Sequence, residues 1–443
     1  MTEEEQKNQS EVIKERIKER PVNKKKLLRK TLTTALMAVV FGLIACLTFI
    51  SLEPVVSNWL YPETEPQPII FPEEEEEVLP EDMLLQDEDL NQDEETLSKE
   101  EAPNEEEAKI QEIVDNIKLD KEKYNELYTS MSDYSRSLQN SMVTVTAVTA
   151  DVDWLNETYE TKGQTYGVII ADNGKEFMIL TDRNAIKHAE EIEVTLRDEV
   201  VVKAEPVKSD EEIGLSVLSI KKADVPDWVQ DRLVIAPLGS SNFRQTVGTP
   251  VIVMGCPMGV IGSTEYGVVS TEGITLNRTD VNYKLFATDI FGSPSGTGVV
   301  FNLRGQIVGI VTAERYSSDT KNNLAFIGIS DLRKQIENMA NAKEIPYIGI
   351  VGVDVPLKIS QEQGIPMGAY VKDVKMNSPA MLAGIQNGDV IVEFSGQAVD
   401  KYANYTAMLR DTEPGQEVTI VLMRPVQDRF QRMEIKLNIS AIK

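Results

Sequence analysis

The stretch from residue 288 to residue 310 constrains this chain more than any other. It runs Thr288-Asp289-Ile290-Phe291-Gly292-Ser293-Pro294-Ser295-Gly296-Thr297-Gly298, then Val299-Val300-Phe301-Asn302-Leu303-Arg304-Gly305-Gln306-Ile307-Val308-Gly309-Ile310. A loop of small residues opens into an apolar run, a short turn and a second apolar run, which is the pattern of a β-hairpin. Ser295 lies in the loop just before the hairpin. A chain with this element needs a sheet for the hairpin to join.

The surrounding segment, residues 141–341, supplies one. It reads as repeated short strands without interleaved helices, as in an all-β barrel or sandwich. Val168-Ile169-Ile170 and Phe177-Met178-Ile179-Leu180 flank Asp172-Asn173-Gly174, a strong hairpin signal. Ile192, Val194 and Leu196 alternate with Glu191, Glu193, Thr195 and Arg197, as in a half-buried strand. A helix closes the segment, with Ser330 as its expected N-cap and Leu332, Ile336 and Met339 on one face. Residues 345–440 form a separate unit. Ser378-Pro379-Ala380-Met381-Leu382-Ala383-Gly384 has Ser at the N-cap, Pro at the first helical position and Gly at the stop. A second helix is expected over about 401–410, and Val390-Ile391-Val392 and Val418-Thr419-Ile420-Val421-Leu422 read as strands.

Ahead of these units the character changes three times. Basic residues in segment 1–30, Lys24-Lys25-Lys26 and Arg29-Lys30, precede an uncharged apolar run over 31–52. That run is long enough to span a bilayer as a helix, and the basic flank puts its N-terminal side in the cytoplasm. The expectation is a single-pass plasma-membrane protein with its bulk extracytoplasmic; the alternative is a signal peptide that is removed. Residues 53–107 are dominated by Glu, Asp and Pro, with about twenty acidic residues against the single Lys99 from 61 to 107. Most of the net charge of -27 sits there, and the segment reads as a disordered spacer. Residues 108–140 show Ile110, Ile113, Val114 and Ile117 at helical spacing, a lead-in to the first domain.

No clustered basic face suits a nucleic acid. Cys46 falls in the apolar run and Cys256 among core residues, which excludes a disulfide framework. No metal-ligand spacing is present, and neither metal nor cofactor is expected.

The 288–310 stretch resembles the nucleophile region of the HtrA/Deg serine proteases, where Thr-Asp leads to Gly-Asn-Ser-Gly-Gly-Pro and an Asn-x-x-Gly hairpin. The last unit resembles the PDZ domain of the same family through Ser378-Pro379-Ala380, Ala383-Gly384-Ile385 and Gly388-Asp389-Val390-Ile391. The resemblance implies a mainly β chain: a trypsin-like double β-barrel over 141–341 and an α+β PDZ domain over 345–440. One transmembrane helix (31–52), an acidic disordered linker (53–107) and a helical lead-in (108–140) would precede them.

A protease of this family needs a serine activated by a histidine that an aspartate orients. The family histidine follows Ile-Leu-Thr-Asn-Asn; here Ile179-Leu180-Thr181-Asp182-Arg183 leads to Asn184, whose amide cannot take a proton near neutral pH. The one histidine, His188, stands four residues on. Gly214 occupies the aspartate position, with Asp210 and Glu212 in the exposed turn before it. Counting back from Asn302 without gaps puts Gly296 at the serine position; a one-residue insertion puts Ser295 there. With all three positions altered, the resemblance implies a pseudoprotease. The alternatives are an active endopeptidase using Ser295 with a rearranged base (His188, Lys187 or Lys284), or a regulatory subunit of an active paralogue, in a homo-trimer or hetero-oligomer.

The resemblance also implies a peptide site. PDZ domains add a peptide C-terminus to a sheet edge and hold its carboxylate with backbone N–H groups. The family loop Tyr-Leu-Gly-Ile is matched by Tyr347-Ile348-Gly349-Ile350, and the second helix, through Tyr405 and Met408, is expected to line the groove. The implied work is capture of peptide C-termini or unfolded segments in envelope protein quality control or scaffolding.

Overall fold

The computed structural model describes residues 32–46, 48, 66–72, 121–152, 158–242, 247–314, 322–427 and 429–442. Two units emerge, Met1–Glu65 and Pro66–Lys443. In the first, residues 32–46 are helical and exposed. Among the described residues no helix is long and apolar enough to cross a membrane. The segment 1–30, most of the acidic linker (53–65 and 73–107) and the apolar positions Ile110 to Ile117 lie outside the described residues.

The second unit begins with a correction. Residues 66–72, expected within a disordered spacer, lie extended against the β-rich domain that follows. Ile69 is buried, its N–H donates to Asn341 Oδ1 at 2.9 Å, and Gln67 N–H donates to the Asn173 carbonyl at 3.0 Å. The reason is composition: Pro66-Gln67-Pro68-Ile69-Ile70-Phe71-Pro72 is free of charge and carries apolar side chains to bury.

Helix α1 (Lys121–Leu138) leads into a closed six-stranded barrel: β1 (Met142–Val152), β2 (Thr158–Asp172), β3 (Glu176–Asp182), β4 (Glu191–Thr195), β5 (Val201–Asp210) and β6 (Leu215–Lys221). The 172–174 hairpin forms between β2 and β3 as expected, with Gly174 at φ 91°. Strand β3 reads as an unbroken apolar run because both its faces are covered. Phe177 and Ile179 point into the barrel core, while Met178 and Leu180 join the core shared with the next sheet.

That sheet has seven strands, β7 (Pro250–Cys256), β8 (Ser263–Val268), β9 (Ile274–Arg278), β10 (Val281–Phe291), β11 (Thr297–Phe301), β12 (Ile307–Thr312) and β13 (Asn323–Gly328). Its order is β8-β7-β11-β12-β13-β10-β9. It curls without closing by continuous pairing, and Val269 after β8 bridges Thr288 in β10. The opening hairpin is β11–β12, with Val299 opposite Ile310.

Helix α2 (Arg183–Ile186) follows β3, and α3 (Ile329–Ala340) packs Leu332, Ile336 and Met339 into the shared core. The α3 N-cap is Gly328 rather than Ser330. The helix starts earlier because Ser330 is tied sideways: its hydroxyl accepts from Ser241 N–H at 2.8 Å, and its own N–H donates to Ser241 Oγ at 3.1 Å.

The last domain holds β14 (Pro346–Tyr347), β15 (Ile350–Asp354), β16 (Ala369–Val374), β17 (Val390–Phe394), β18 (Gln397–Ala398), β19 (Glu417–Val426), β20 (Arg429–Asn438) and β21 (Ser440–Ala441). The main order is β15-β16-β17-β19-β20, leaving one edge of β15 outside the ladder. Helix α4 (Pro379–Ala383) is capped as expected: Ser378 Oγ accepts from Met381 N–H at 3.1 Å and Gly384 is left-handed at φ 87°. Helix α5 (Tyr402–Arg410) covers the sheet with Tyr402, Tyr405 and Leu409 fully buried.

Candidate functional site

Two sites follow from this fold. At the first, β3 ends at Asp182, whose carboxylate caps α2 by accepting from Asn184 N–H at 2.8 Å. Gly214, in the turn between β5 and β6, accepts from Arg183 N–H at 2.9 Å. A Cβ on Gly214 would stand 3.1 Å from Asn184 Nδ2, so the two residues expected at the base and orienting positions are neighbours. An amide and a hydrogen cannot act together as an imidazole and a carboxylate do in a proton relay. Asp210 does not fill the gap. Its Oδ1 accepts from Glu212 N–H (2.8 Å) and Ile213 N–H (3.2 Å), and its other oxygen accepts from Gln335. Burial lifts its carboxyl above the ordinary carboxylate range, with the backbone donors of Ile213 and Glu212 acting against that lift. His188 is exposed in the turn after α2.

The loop 292–298 is closed on itself. Ser293 N–H donates to the Pro257 carbonyl at 3.0 Å and Gly296 N–H to the Ser293 carbonyl at 2.8 Å. Ser295 N–H points to Ser293 Oγ at 3.3 Å, and the two hydroxyls are 3.0 Å apart. An oxyanion hole in this fold uses the N–H of the nucleophile and that of the residue two before it. If Ser295 is the nucleophile, the second donor is Ser293 N–H, which Pro257 already holds. With Gly296 at that position the second donor would come from Pro294, which has no N–H. Gly296 has no room for a side chain either: an added Cβ would collide with the Pro257 carbonyl oxygen. Sequence reasoning located the loop but not this closure, which depends on backbone directions. Cys256 ends the facing strand β7, half-buried, with its thiol pushed up by desolvation. A cavity of about 390 Å³ between the sheets is lined by Tyr166, Thr195, Met254 and Gly262, and does not reach Asn184, Gly214 or Ser295.

The second site is the loop from Tyr347 to Ile350. Gly349 takes φ 95°, and an added Cβ there would collide with Ser378. Three successive N–H groups converge on one carboxylate. Ile348 and Gly349 donate to Asp280 Oδ2 at 2.7 and 2.6 Å, and Ile350 donates to Asp280 Oδ1 at 3.0 Å. Tyr405, from α5, donates its hydroxyl to the same Oδ1 at 3.0 Å. Tyr402 donates to the Ile350 carbonyl at 2.8 Å and steadies the loop. Met408 is half-buried in the core of this domain. The expected loop and Tyr405 therefore come together, with Asp280 as an added member that no sequence signal marked. Asp280 is buried, and desolvation lifts its carboxyl above the usual range against the donors of Gly349, Ile350, Ile348 and Tyr405. Among the described residues no cluster of His, Cys, Asp or Glu is arranged to hold a metal ion.

Comparison with known proteins bears on both domains. Residues 165–310 match the model of the trypsin-like peptidase domain, and residues 370–424 match a PDZ domain. A probable periplasmic serine endoprotease, DegP-like, of Pseudomonas savastanoi pv. phaseolicola is 30% identical over 289 residues, covering 64% of this chain and 57% of the relative. The serine protease Do-like HtrB of Bacillus subtilis is 28% identical over 278 residues, covering 58% of this chain and 59% of the relative. The chain thus spans somewhat over half the length of these curated relatives. The solved HtrA-type protease AlgW with decapeptide shares the fold at a TM-score of 0.50 and 20% identity, over 70% of this chain and 98% of that one.

The molecule is a trypsin-like peptidase fold joined to a PDZ domain. Across these two domains the chain is similar to the HtrA/DegP proteins.

Proposed function

We propose that this chain is a peptide-binding member of the family whose peptidase domain no longer performs acyl transfer. The observation that carries the reading is the convergence of the Ile348, Gly349 and Ile350 N–H groups on a single carboxylate. That is the chemistry a peptide C-terminus requires, beside the edge of β15 that lies outside the sheet ladder and could take an added strand. Loss of catalysis is supported by Asn184 and Gly214 at the base and orienting positions and by the closed 292–298 loop. Without a base, a serine hydroxyl is a poor nucleophile at neutral pH.

The uncharged run over 31–52 behind Lys24-Lys25-Lys26 supports a membrane anchor with the folded bulk extracytoplasmic. The periplasmic naming of the DegP-like relatives agrees with that side of the membrane. The work fitting these parts is capture of exposed C-termini or unfolded segments, or scaffolding, at the cell envelope. An endopeptidase reading draws on the relatives' names as serine endoproteases and would have to use Ser295.

One experiment separates the two. Full-length protein in detergent is incubated with an unfolded casein substrate and a fluorophosphonate probe, beside Ser295→Ala. The expected result is neither cleavage nor labelling above the level of the variant. Labelling that disappears in Ser295→Ala would overturn the loss of catalysis.

A further inference from the structure

We infer that the β9–β10 hairpin is a built-in ligand of the PDZ groove, its Asp280 side chain occupying the seat of a peptide's terminal carboxylate, so that a C-terminal peptide binds only by displacing it. The inference rests on the peptide-binding reading above and adds its regulation.

The geometry is that of a bound peptide end. Both carboxylate oxygens of Asp280 are engaged by the loop N–H groups and by Tyr405. Main-chain contacts continue from there as they would for an added strand. Asp280 N–H donates to the Ile350 carbonyl at 2.7 Å, and Thr279 bridges Val351 in antiparallel sense. Asn282 Nδ2 donates to the Gly352 carbonyl at 3.3 Å. The hairpin therefore covers the edge of β15 that the ladder leaves open.

An aspartate in a tight turn ordinarily turns its carboxylate back on its own backbone. Asp280 takes the left-handed conformation such a turn favours, at φ 58°, yet sends both oxygens into the other domain. Its carboxylate is one methylene from its backbone, as a terminal carboxylate is one bond from its own Cα, so the loop receives the same planar, two-oxygen acceptor. A tethered occupant competes at high effective concentration, and a free peptide sees its apparent affinity reduced by the fraction of time the groove is empty.

The test uses full-length protein in detergent and fluorescein-labelled peptides of a C-terminal library, each as free carboxylate and as amide, read by fluorescence anisotropy. Asp280→Asn keeps the shape and removes the competing charge; Asp280→Ala removes the side chain. The expected result is a gain of about tenfold or more in affinity for free-carboxylate peptides in both variants, with the amides unaffected. Equal affinity in wild type and variants overturns the inference and leaves the peptide-binding reading standing. No binding by wild type or variants overturns both. If neither variant folds, hydrogen exchange of the wild type titrated with peptide decides. Faster exchange at the Asp280 amide on peptide addition supports displacement, and unchanged protection there overturns it.

Discussion

Asn184 and Gly214 show what a single letter can decide. Their side chains are the chemistry, and an amide and a hydrogen are as legible in sequence as in space. The closed loop is not. Whether Ser293 N–H is free depends on the Pro257 carbonyl, thirty-odd residues back in the chain, and no residue type announces that contact. The consequence is a prediction about rescue. Asn184→His with Gly214→Asp would supply an imidazole and a carboxylate side by side, at a cost of about 1 kcal/mol for a side chain at the left-handed φ 68° of Gly214. Turnover of a fluorogenic peptide should nevertheless stay at the level of the parent, because the oxyanion donors remain occupied. Appearance of cleavage in the double variant would show that the loop opens on substrate. Gly349 is the converse case. The motif announced it, and its φ of 95° against Ser378 gives the motif its reason. Gly349→Ala should destabilise the PDZ domain by about 1–3 kcal/mol in denaturant unfolding and abolish carboxylate-dependent peptide binding.

At the scale of elements, alternation and turn chemistry were the dependable signals. The 172–174 hairpin, the half-buried β4 and the α4 caps all followed from local sequence, because each is settled by neighbours within a few positions. Where a distant partner intervened, local rules failed. Ser330 looked like an N-cap until Ser241 took its hydroxyl, and residues 66–72 looked like spacer until Asn341 and Asn173 took their backbone. Helix α3 shows how much rests on one such element. Ile336 is fully buried in a core shared by the barrel and the seven-stranded sheet. Ile336→Ala leaves a cavity there and should cost about 2–5 kcal/mol of unfolding free energy, measured by urea titration. A loss under about 1 kcal/mol would mean that the sheets do not depend on α3 for their packing.

For the whole molecule, domain order was legible because each domain has its own composition and motifs, whereas the join between domains was not. Asp280 and Gly349 are 69 residues apart, and neither periodicity nor turn preference links them. The join also reaches the turn at Gly214. Glu212, in the turn that carries Gly214, holds the hairpin from the other side: its carboxylate accepts the Thr279 hydroxyl at 2.6 Å and the Thr279 N–H at 3.3 Å. A peptide that lifts Asp280 out of the groove must strain or break this grip. Coupling of this kind is reciprocal, so loosening the grip must in turn favour the peptide. Glu212→Ala is therefore expected to raise affinity for free-carboxylate peptides about threefold to tenfold, less than Asp280→Asn, because the loop contacts of Asp280 survive. The fluorescence anisotropy titration described above measures both. An affinity unchanged in Glu212→Ala would confine the hairpin's hold to Asp280 and the β15 edge, and the turn at Gly214 would then feel nothing when a peptide binds.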